Sequence, residues 1–400
     1  MITTTTDVLR RFGLLLAVAS RRHRCLRVAN ACCWDGRLFS SIYCIRSRLQ
    51  SSLAPTSICS PTRIQQKSYL INKTENLSIF LLKNQVNTFR RKSTSHSTNN
   101  KDSTSTRKMA KIISGKEVAD EIRASLKKRV EHLSVKPKLA IVQVGGREDS
   151  NVYIRMKIQF AESIGAQAEL IKLPRETTEQ QVAAKVNELN NDTSIHGIIT
   201  QLPFDTTSQI DSDKIVNMIN PKKDVDGLSV YNAGKLSHGE LDSTAFKPCT
   251  PNGCMELIKR SGIQVSGSHS VVLGRSKIVG SPMGQLLLWH DSTVTVCHSR
   301  TKNLEEICSK ADILVAAVGR ARMVKKNWLK PGAVVIDCGI NVIPDATKKS
   351  GTRLVGDVDF DECKEVASAI TPVPGGVGPM TVAMLIANTV EAAERSLNGK

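Results

Sequence analysis

The stretch HSVVLGRSKIVGSPMG, residues 269–284, decides how the second half of this chain is read. A short apolar run enters a loop punctuated by Gly274, Gly280 and Gly284, and QLLLWHD continues it as a helix. GRSKIVG is not the usual GxGxxG fingerprint, and as a motif alone it is weak. Its setting, after a strand and at the opening of a helix, is the one a dinucleotide-binding loop requires. Further along, TVTVCHSRT, ADILVAAVG and AVVIDCGIN read as three more strands with helices or loops between them. This half is therefore expected to be a nucleotide-binding, Rossmann-type doubly wound sheet.

The preceding segment shows the same alternation. VADEIRASLKKRVEHL reads as an amphipathic helix and KLAIVQVGG as a buried strand closed by two glycines. EDSNVYIRMKIQFAESIG reads as a helix with Asp149 or Ser150 as its N-cap. QAELIKL (strand), TTEQQVAAKVNELNND (helix) and IHGIITQLP (strand) follow. The fold class is α/β: two βαβ domains flanking a cleft. PCTPNG, residues 248–253, reads as a hinge between them, and the long apolar helix after ITPVPGGVGP is expected to return to the first domain. The expected division is 1–108 as a leader, 109–250 with 371–400 as a catalytic, substrate-binding domain, and 251–370 as the cofactor domain.

Charge separates the leader from the rest. Of 56 Lys+Arg and 37 Asp+Glu, residues 1–108 hold 19 and 4, a net of +15, while residues 109–400 hold 37 and 33, a net of +4. The basic excess belongs to the leader. The folded part lacks the basic face that nucleic-acid binding needs, so neither a nucleic-acid nor a membrane partner is expected. A polyanion-binding role of the leader is the reading of another class. Rich in Ser, Thr and Arg and poor in acids, the leader fits a mitochondrial transit peptide and spacer. RRFGLLLAVAS offers a secretory alternative, opposed by the positive RRHRCLR directly after it. Translation starting at Met109 would instead make the protein cytosolic. Six of the 11 cysteines lie after residue 108, with no CxxC or Cys/His metal spacing, and read as reduced thiols. No metal is expected.

Residues 151–157, NVYIRMK, place a lysine where lysines are costly. At about 100° per residue, Lys157, Phe160 and Ile164 fall within roughly 40° of Tyr153, whereas Arg155, Gln159 and Glu162 gather on the opposite side. Lys157 thus shares the apolar stripe. It either snorkels past that stripe to water or lines a half-dry cleft, where desolvation lowers its pKa into a range useful for proton transfer. Geometry of the helix alone leaves both open. Gln201, followed by Leu202 and Pro203, ends a buried strand at the edge where open α/β sheets bind ligands. Asp226 sits in KKDVDGL, a position that turn chemistry alone also explains.

Taken together and in order, SNVYIRMK, IHGIITQLPF, PKKDVDGLSVYNAGKL, PCTPNG, GRSKIVGSPM, DCGIN, GDVDF and ITPVPGGVGPMTVAML resemble the methylenetetrahydrofolate dehydrogenase/methenyltetrahydrofolate cyclohydrolase family over about 111–397. GRSKIVG and LLLW are most similar to the dehydrogenase/cyclohydrolase portion of the eukaryotic trifunctional C1-tetrahydrofolate synthase, and the large synthetase part of that enzyme is expected to be lacking here. The resemblance implies oxidation of 5,10-methylenetetrahydrofolate and hydrolysis of the methenyl product to 10-formyltetrahydrofolate, by a homodimer. It makes Lys157 the proton donor and acceptor of the hydrolysis, Gln201 its hydrogen-bond partner, Tyr153 a ring against the folate and Asp226 the acceptor for the pterin. Leu202, Pro203 and the loop Pro374, Gly375, Gly376, Val377 and Gly378 are implied in substrate contact. One departure is Gln159, where the family often has a second lysine.

For the cofactor, Gly274, Arg275, Ser276, Ser299, Arg300, Gly339 and Ile340 form the expected contact set. An acid at the end of the strand after the glycine loop favours NAD, and Arg or Ser favours NADP. CHSRT carries Ser299 and Arg300 and no acid, so NADP is expected. NAD, with magnesium and phosphate as in some mitochondrial members, is the alternative.

Overall fold

The computed structural model describes residues 109–240 and 245–399. The leader, with the readings made on it, lies outside the described residues.

In chain order the elements are β1 (Lys111–Ile112), α1 (Gly115–Glu131), β2 (Lys138–Val144), α2 (Glu148–Ser163), β3 (Gln167–Leu173), α3 (Glu179–Asn191), β4 (Gly197–Thr200), α4 (Ser212–Met218), α5 (Val230–Ser237) and α6 (Cys249–Ser261). The glycine-loop half follows with β5 (His269–Leu273), α7 (Gly280–Leu288), β6 (Thr293–Cys297), α8 (Leu304–Cys308), β7 (Ile313–Ala316), β8 (Val334–Asp337), β9 (Asn341–Pro344), β10 (Thr352–Val355), α9 (Phe360–Cys363), β11 (Ala369–Ile370) and α10 (Val377–Leu397).

Two parallel sheets carry the fold. The first has the order β3-β2-β4; the second has the order β1-β11-β8-β7-β5-β6. Both are covered on both faces, which is why their central strands read as unbroken apolar runs. In the first sheet Leu139, Ile141 and Ile199 face the main core, and Ala140, Val142, Val144 and Ile198 face a second cluster under α3 and α4. In the second, Val272, Ile313, Val315 and Ile336 point one way and Val271, Leu273, Leu314 and Val335 the other. The α/β class with its Rossmann-type second sheet is as expected. The C-terminal helix does return: α10 packs on α1, α2 and α6, and Arg129 of α1 grips Glu394 of α10 through two bonds of 3.0 and 2.6 Å.

Several local readings need correction. Helix α2 begins at Glu148 with Arg147 at the N-cap and no side-chain cap bond, not at Asp149 or Ser150. Asn151 N already donates to Arg147 O at 3.0 Å, so the first turn closes earlier. PCTPNG does not lie in a loop ahead of the helix but forms the opening turn of α6, with Pro248 as N-cap. Pro251 is tolerated there because the first amides of a helix have no partner within it. The strands expected to run through CHSRT and CGIN stop at Cys297 and Asp337. Lys111–Ile112 was assigned with the first domain, yet it pairs with Ala369–Ile370 as an edge of the second sheet. The antiparallel pair β9–β10 was not foreseen.

Among the described residues no helix is long and apolar enough to cross a membrane. The six described cysteines are free thiols, five buried and Cys338 half-buried.

Candidate active site

Helix α2 turns Tyr153, Lys157, Phe160 and Ile164 inward, and burial follows the stripe: Phe160 and Ile164 are in the core, Tyr153 is half-buried and Lys157 is 9% exposed. Lys157 does not snorkel. Its Nζ donates to Gln201 Oε1 at 2.9 Å. Burial pushes its pKa down, and the charges of Asp226 and Cys249 oppose that shift. Burial likewise raises the Tyr153 hydroxyl.

Gln201 follows β4 directly. Its backbone N donates to Val142 O at 2.8 Å, prolonging the β2–β4 ladder by one step, and its Nε2 donates to Leu202 O at 3.1 Å. The Leu202–Pro203 and Val373–Pro374 peptides are both cis.

Asp226 reaches the same edge by a route invisible in the sequence. A parallel bridge joins Ile198 of β4 to Asp224, which brings residue 226 level with the end of β4. Asp224, 1% exposed, anchors that loop by accepting from Gly227 N (3.1 Å), Leu228 N (3.3 Å), Ser229 N (2.9 Å) and Asn232 Nδ2 (2.8 Å). Between the two aspartates, Val225 O accepts from Asn388 Nδ2 of α10 at 2.8 Å and from the Cys249 thiol at 3.3 Å. Asp226 keeps part of its surface open, yet desolvation raises its carboxyl, with Lys157 lowering it and Asp224 raising it. Cys249, buried at the start of α6, is pushed well up by burial and by Asp226, and so stays a thiol.

A lysine pushed down and a carboxyl pushed up beside it come closer in proton affinity than either would in water. A pKa brought down toward the working pH is what general acid–base chemistry asks of a lysine. Asp224, Asn388 and Cys249 were missed in the sequence. The one signal was the position of Asp224 two residues before Asp226 in KKDVDGL.

Of the segment from Pro374 to Gly378, the first three residues form a loop and Val377 and Gly378 open α10. Gly375 has φ +101° and its O accepts from Lys116 N at 3.1 Å. A Cβ on Gly115 would lie 1.7 Å from Gly376 O. Val377 is buried, and a Cβ on Gly378 would meet nothing within 4 Å.

At the C-terminal edge of the second sheet, Gly274 has φ +114° and passes so close to the next loop that a Cβ would lie 2.2 Å from Ala317 O. Ser276 Oγ accepts from Val279 N (3.2 Å) and Gly280 N (3.3 Å), holding the turn that opens α7. Arg275, Ser299, Arg300 and Ile340 are exposed and Gly339 is buried. Ser299 and Arg300 occupy a turn just after β6. A backbone turn that excludes side chains, flanked by two arginines and a serine, suits a phosphate-bearing dinucleotide. Lys277 of this loop pairs with Asp213 of α4, so the cofactor loop touches the first sheet's unit. Among the described residues no group of three His, Cys, Asp or Glu could hold a metal ion.

Comparison with known proteins agrees in both halves. Residues 113–226 match the tetrahydrofolate dehydrogenase/cyclohydrolase catalytic domain, and residues 248–397 match the NAD(P)-binding domain of the same family. The chain is 55% identical to human cytoplasmic C-1-tetrahydrofolate synthase over 293 residues, 72% of this chain but 31% of that protein. It is 50% identical to bifunctional protein FolD 2 of Arabidopsis thaliana, covering 72% of this chain and 96% of that one. Among solved structures, the Trypanosoma brucei N5,N10-methylenetetrahydrofolate dehydrogenase-cyclohydrolase complexed with NADP and inhibitor superimposes with a TM-score of 0.69 at 38% identity, over 72% of this chain and 99% of that one. The chain spans under a third of the human relative and nearly all of the FolD proteins. It belongs to the tetrahydrofolate dehydrogenase/cyclohydrolase family.

Proposed function

We propose that this chain oxidises 5,10-methylenetetrahydrofolate to 5,10-methenyltetrahydrofolate with NADP+ and then hydrolyses the product to 10-formyltetrahydrofolate. The observation that carries this reading is the buried Lys157–Gln201 pair, 2.9 Å apart, with the Asp226 carboxyl close enough to act on the lysine's pKa. In the hydrolysis, Lys157 takes a proton from the attacking water and returns it as the methenyl bridge opens. Gln201 holds the amine in place. Asp226 accepts from the amino and ring N–H groups of the pterin, offering two oxygens side by side. Tyr153 lays its ring against the folate, and Leu202, Pro203 and Pro374 to Gly378 line the remainder.

The cofactor, when bound, supplies a hydride acceptor. The chain's part in the oxidation is positioning: Gly274, Ser276, Gly339 and Ile340 shape the seat, and the flat rings must be held in one orientation for transfer. NADP is favoured over NAD because Arg275, Ser299 and Arg300 are exposed, offer donors suited to a 2′-phosphate, and have no acid among them. A homodimer fits β6, an edge strand with Val296 exposed and Leu288 and Trp289 exposed on the helix before it. The leader's composition favours import into the mitochondrial matrix, and sequencing the mature N-terminus tests that.

Replacing Lys157 with Met and following hydrolysis of methenyltetrahydrofolate tests the assignment. The rate should fall by about 10²–10⁴, the usual contribution of a general acid–base group; near-native hydrolysis would overturn it.

A further inference from the structure

Asp337 of DCGIN and Asp357 of GDVDF have no part in the chemistry above, yet the loops at the edge of the second sheet hang from them. Asp337, 3% exposed at the end of β8, accepts through Oδ1 from Gly339 N (2.8 Å) and Asp357 N (3.0 Å), and through Oδ2 from Val358 N (2.9 Å). Asp357, fully buried, accepts through Oδ2 from Val318 N (2.6 Å) and Gly319 N (3.0 Å), and through Oδ1 from Arg320 N (2.8 Å) and Asn341 Nδ2 (2.9 Å).

The two segments interlock through their glycines. A Cβ on Gly356 would lie 1.8 Å from Asp337 Oδ2, and a Cβ on Gly339 would lie 2.5 Å from Asp357 Oδ1. Each segment therefore places a carboxylate where the other has no side chain. Keeping two carboxylates dry is costly: burial holds Asp337 up at about 6, with Asp357 adding to the rise. A feature retained at such cost usually serves a site.

The loop that Asp357 gathers follows β7 and begins with Ala317, the residue whose O backs onto Gly274. Strands β5 and β7 are neighbours, with β6 on the far side of β5, so the chain reverses direction across the sheet between them. That crevice is where doubly wound sheets bind ligands. With Ser299 and Arg300 at the β6 end, the opposite end of a bound dinucleotide would fall on the side of β7 and β8. Four donors converge on Asp357, and only a carboxylate offers acceptors on both oxygens.

We propose that Asp357, seated by Asp337, is a positioning residue for the oxidation: it fixes residues 318–320 and Asn341 against the Gly274 turn and so sets where the nicotinamide half of the cofactor lies. This rests on the cofactor site proposed above. The hydrolysis needs no cofactor, so one protein supplies both the test and its control.

In the full chain, Asp357→Asn should raise the KM for NADP+ about ten- to a hundredfold while hydrolysis of methenyltetrahydrofolate stays within about twofold. Asn341→Ala, which removes one donor and is the milder change, should move the same KM several-fold in the same direction; it decides the matter alone should Asp357→Asn fail to fold. Parallel loss of both activities would make the carboxylate a fold element only and overturn the proposal. So would an unchanged KM in either folded variant. Arg275→Ala separates the two readings: if it raises the KM and the brace variants do not, the brace is wrong and the cofactor site stands; if it also has no effect, both fall.

Discussion

Lys157 donates to Gln201 across 2.9 Å from a position only 9% exposed. The pair joins the inward face of α2 to the end of β4, and it sets an ionisable group against the stability of the protein that carries it.

The sign of that conflict can be worked out. Folding lowers the Lys157 pKa from 10.5, chiefly by desolvation. The folded chain therefore holds this proton less tightly than the unfolded chain. The penalty is fully present at any pH below the folded value and disappears as pH rises through the unfolded value. Lys157→Met should raise the melting temperature at neutral pH by a few degrees, on the order of 1–2 kcal/mol, while impairing hydrolysis. The gap between variant and native protein should narrow as pH approaches 10.5. Melts across a pH series check this, and a variant that melts lower at pH 7 would sink it.

Asp224 predicts a different coupling. Its carboxylate gathers three backbone amides and Asn232, and truncation strands those buried donors. Asp224→Ala should cost about 3–5 kcal/mol. Asp224→Asn keeps one acceptor and should cost less, but it loosens the loop that presents Asp226. Its hydrolysis rate should therefore drop at temperatures where circular dichroism still reports a folded chain. Native turnover in a folded Asp224→Asn protein would mean that the loop is held by Asn388 and Cys249 instead.

How much of this was legible in the sequence depends on how each residue acts. Lys157 and Tyr153 showed themselves through helical period, because a buried face repeats. Gln201 showed itself through its place at the end of an apolar run. Asp224 and Asn388 act by bonding to backbone in segments remote in the chain, and no local pattern encodes that. The start of α6 was misread because proline and glycine look like turn residues, whereas the first turn of a helix also accepts them. Strand β1 has two residues, too few for any period to register, and its place in the second sheet is decided by Ala369–Ile370, about 260 positions away.

Cofactor choice is testable at Arg275 and Ser299. Arg275→Ala should reduce kcat/KM with NADP+ by about ten- to a hundredfold, the worth of a lost bond to a charged group, and should leave kcat/KM with NAD+ little changed. Ser299→Asp should shift the ratio further, since it places an acid where a phosphate would sit. Steady-state kinetics with both cofactors read the ratio. A native enzyme that prefers NAD+ and responds to magnesium would overturn the NADP assignment.

Gly115 carries the last prediction. It is the first residue of α1, capped by Ser114, whose Oγ accepts from Glu117 N at 3.3 Å. The adjacent amide, Lys116 N, donates to Gly375 O at 3.1 Å, tying the helix to the loop before α10. An alanine at 115 would bring its Cβ to 1.7 Å from Gly376 O, a backbone atom that cannot swing aside. Either α1 or the loop from Pro374 to Gly376 must move. Because α1 is fixed along its length by α10, through the Arg129–Glu394 pair among other contacts, the loop is the part that yields. Gly115→Ala should thus cost about 1–3 kcal/mol of stability, as overpacking does, and its larger effect should be kinetic. On the proposed function this loop lines the substrate site, and a displacement of about 1 Å there can cost on the order of a hundredfold in hydride transfer. Measuring dehydrogenase kcat beside the melting temperature separates the two effects, and an unchanged kcat in a folded variant would remove this loop from the site.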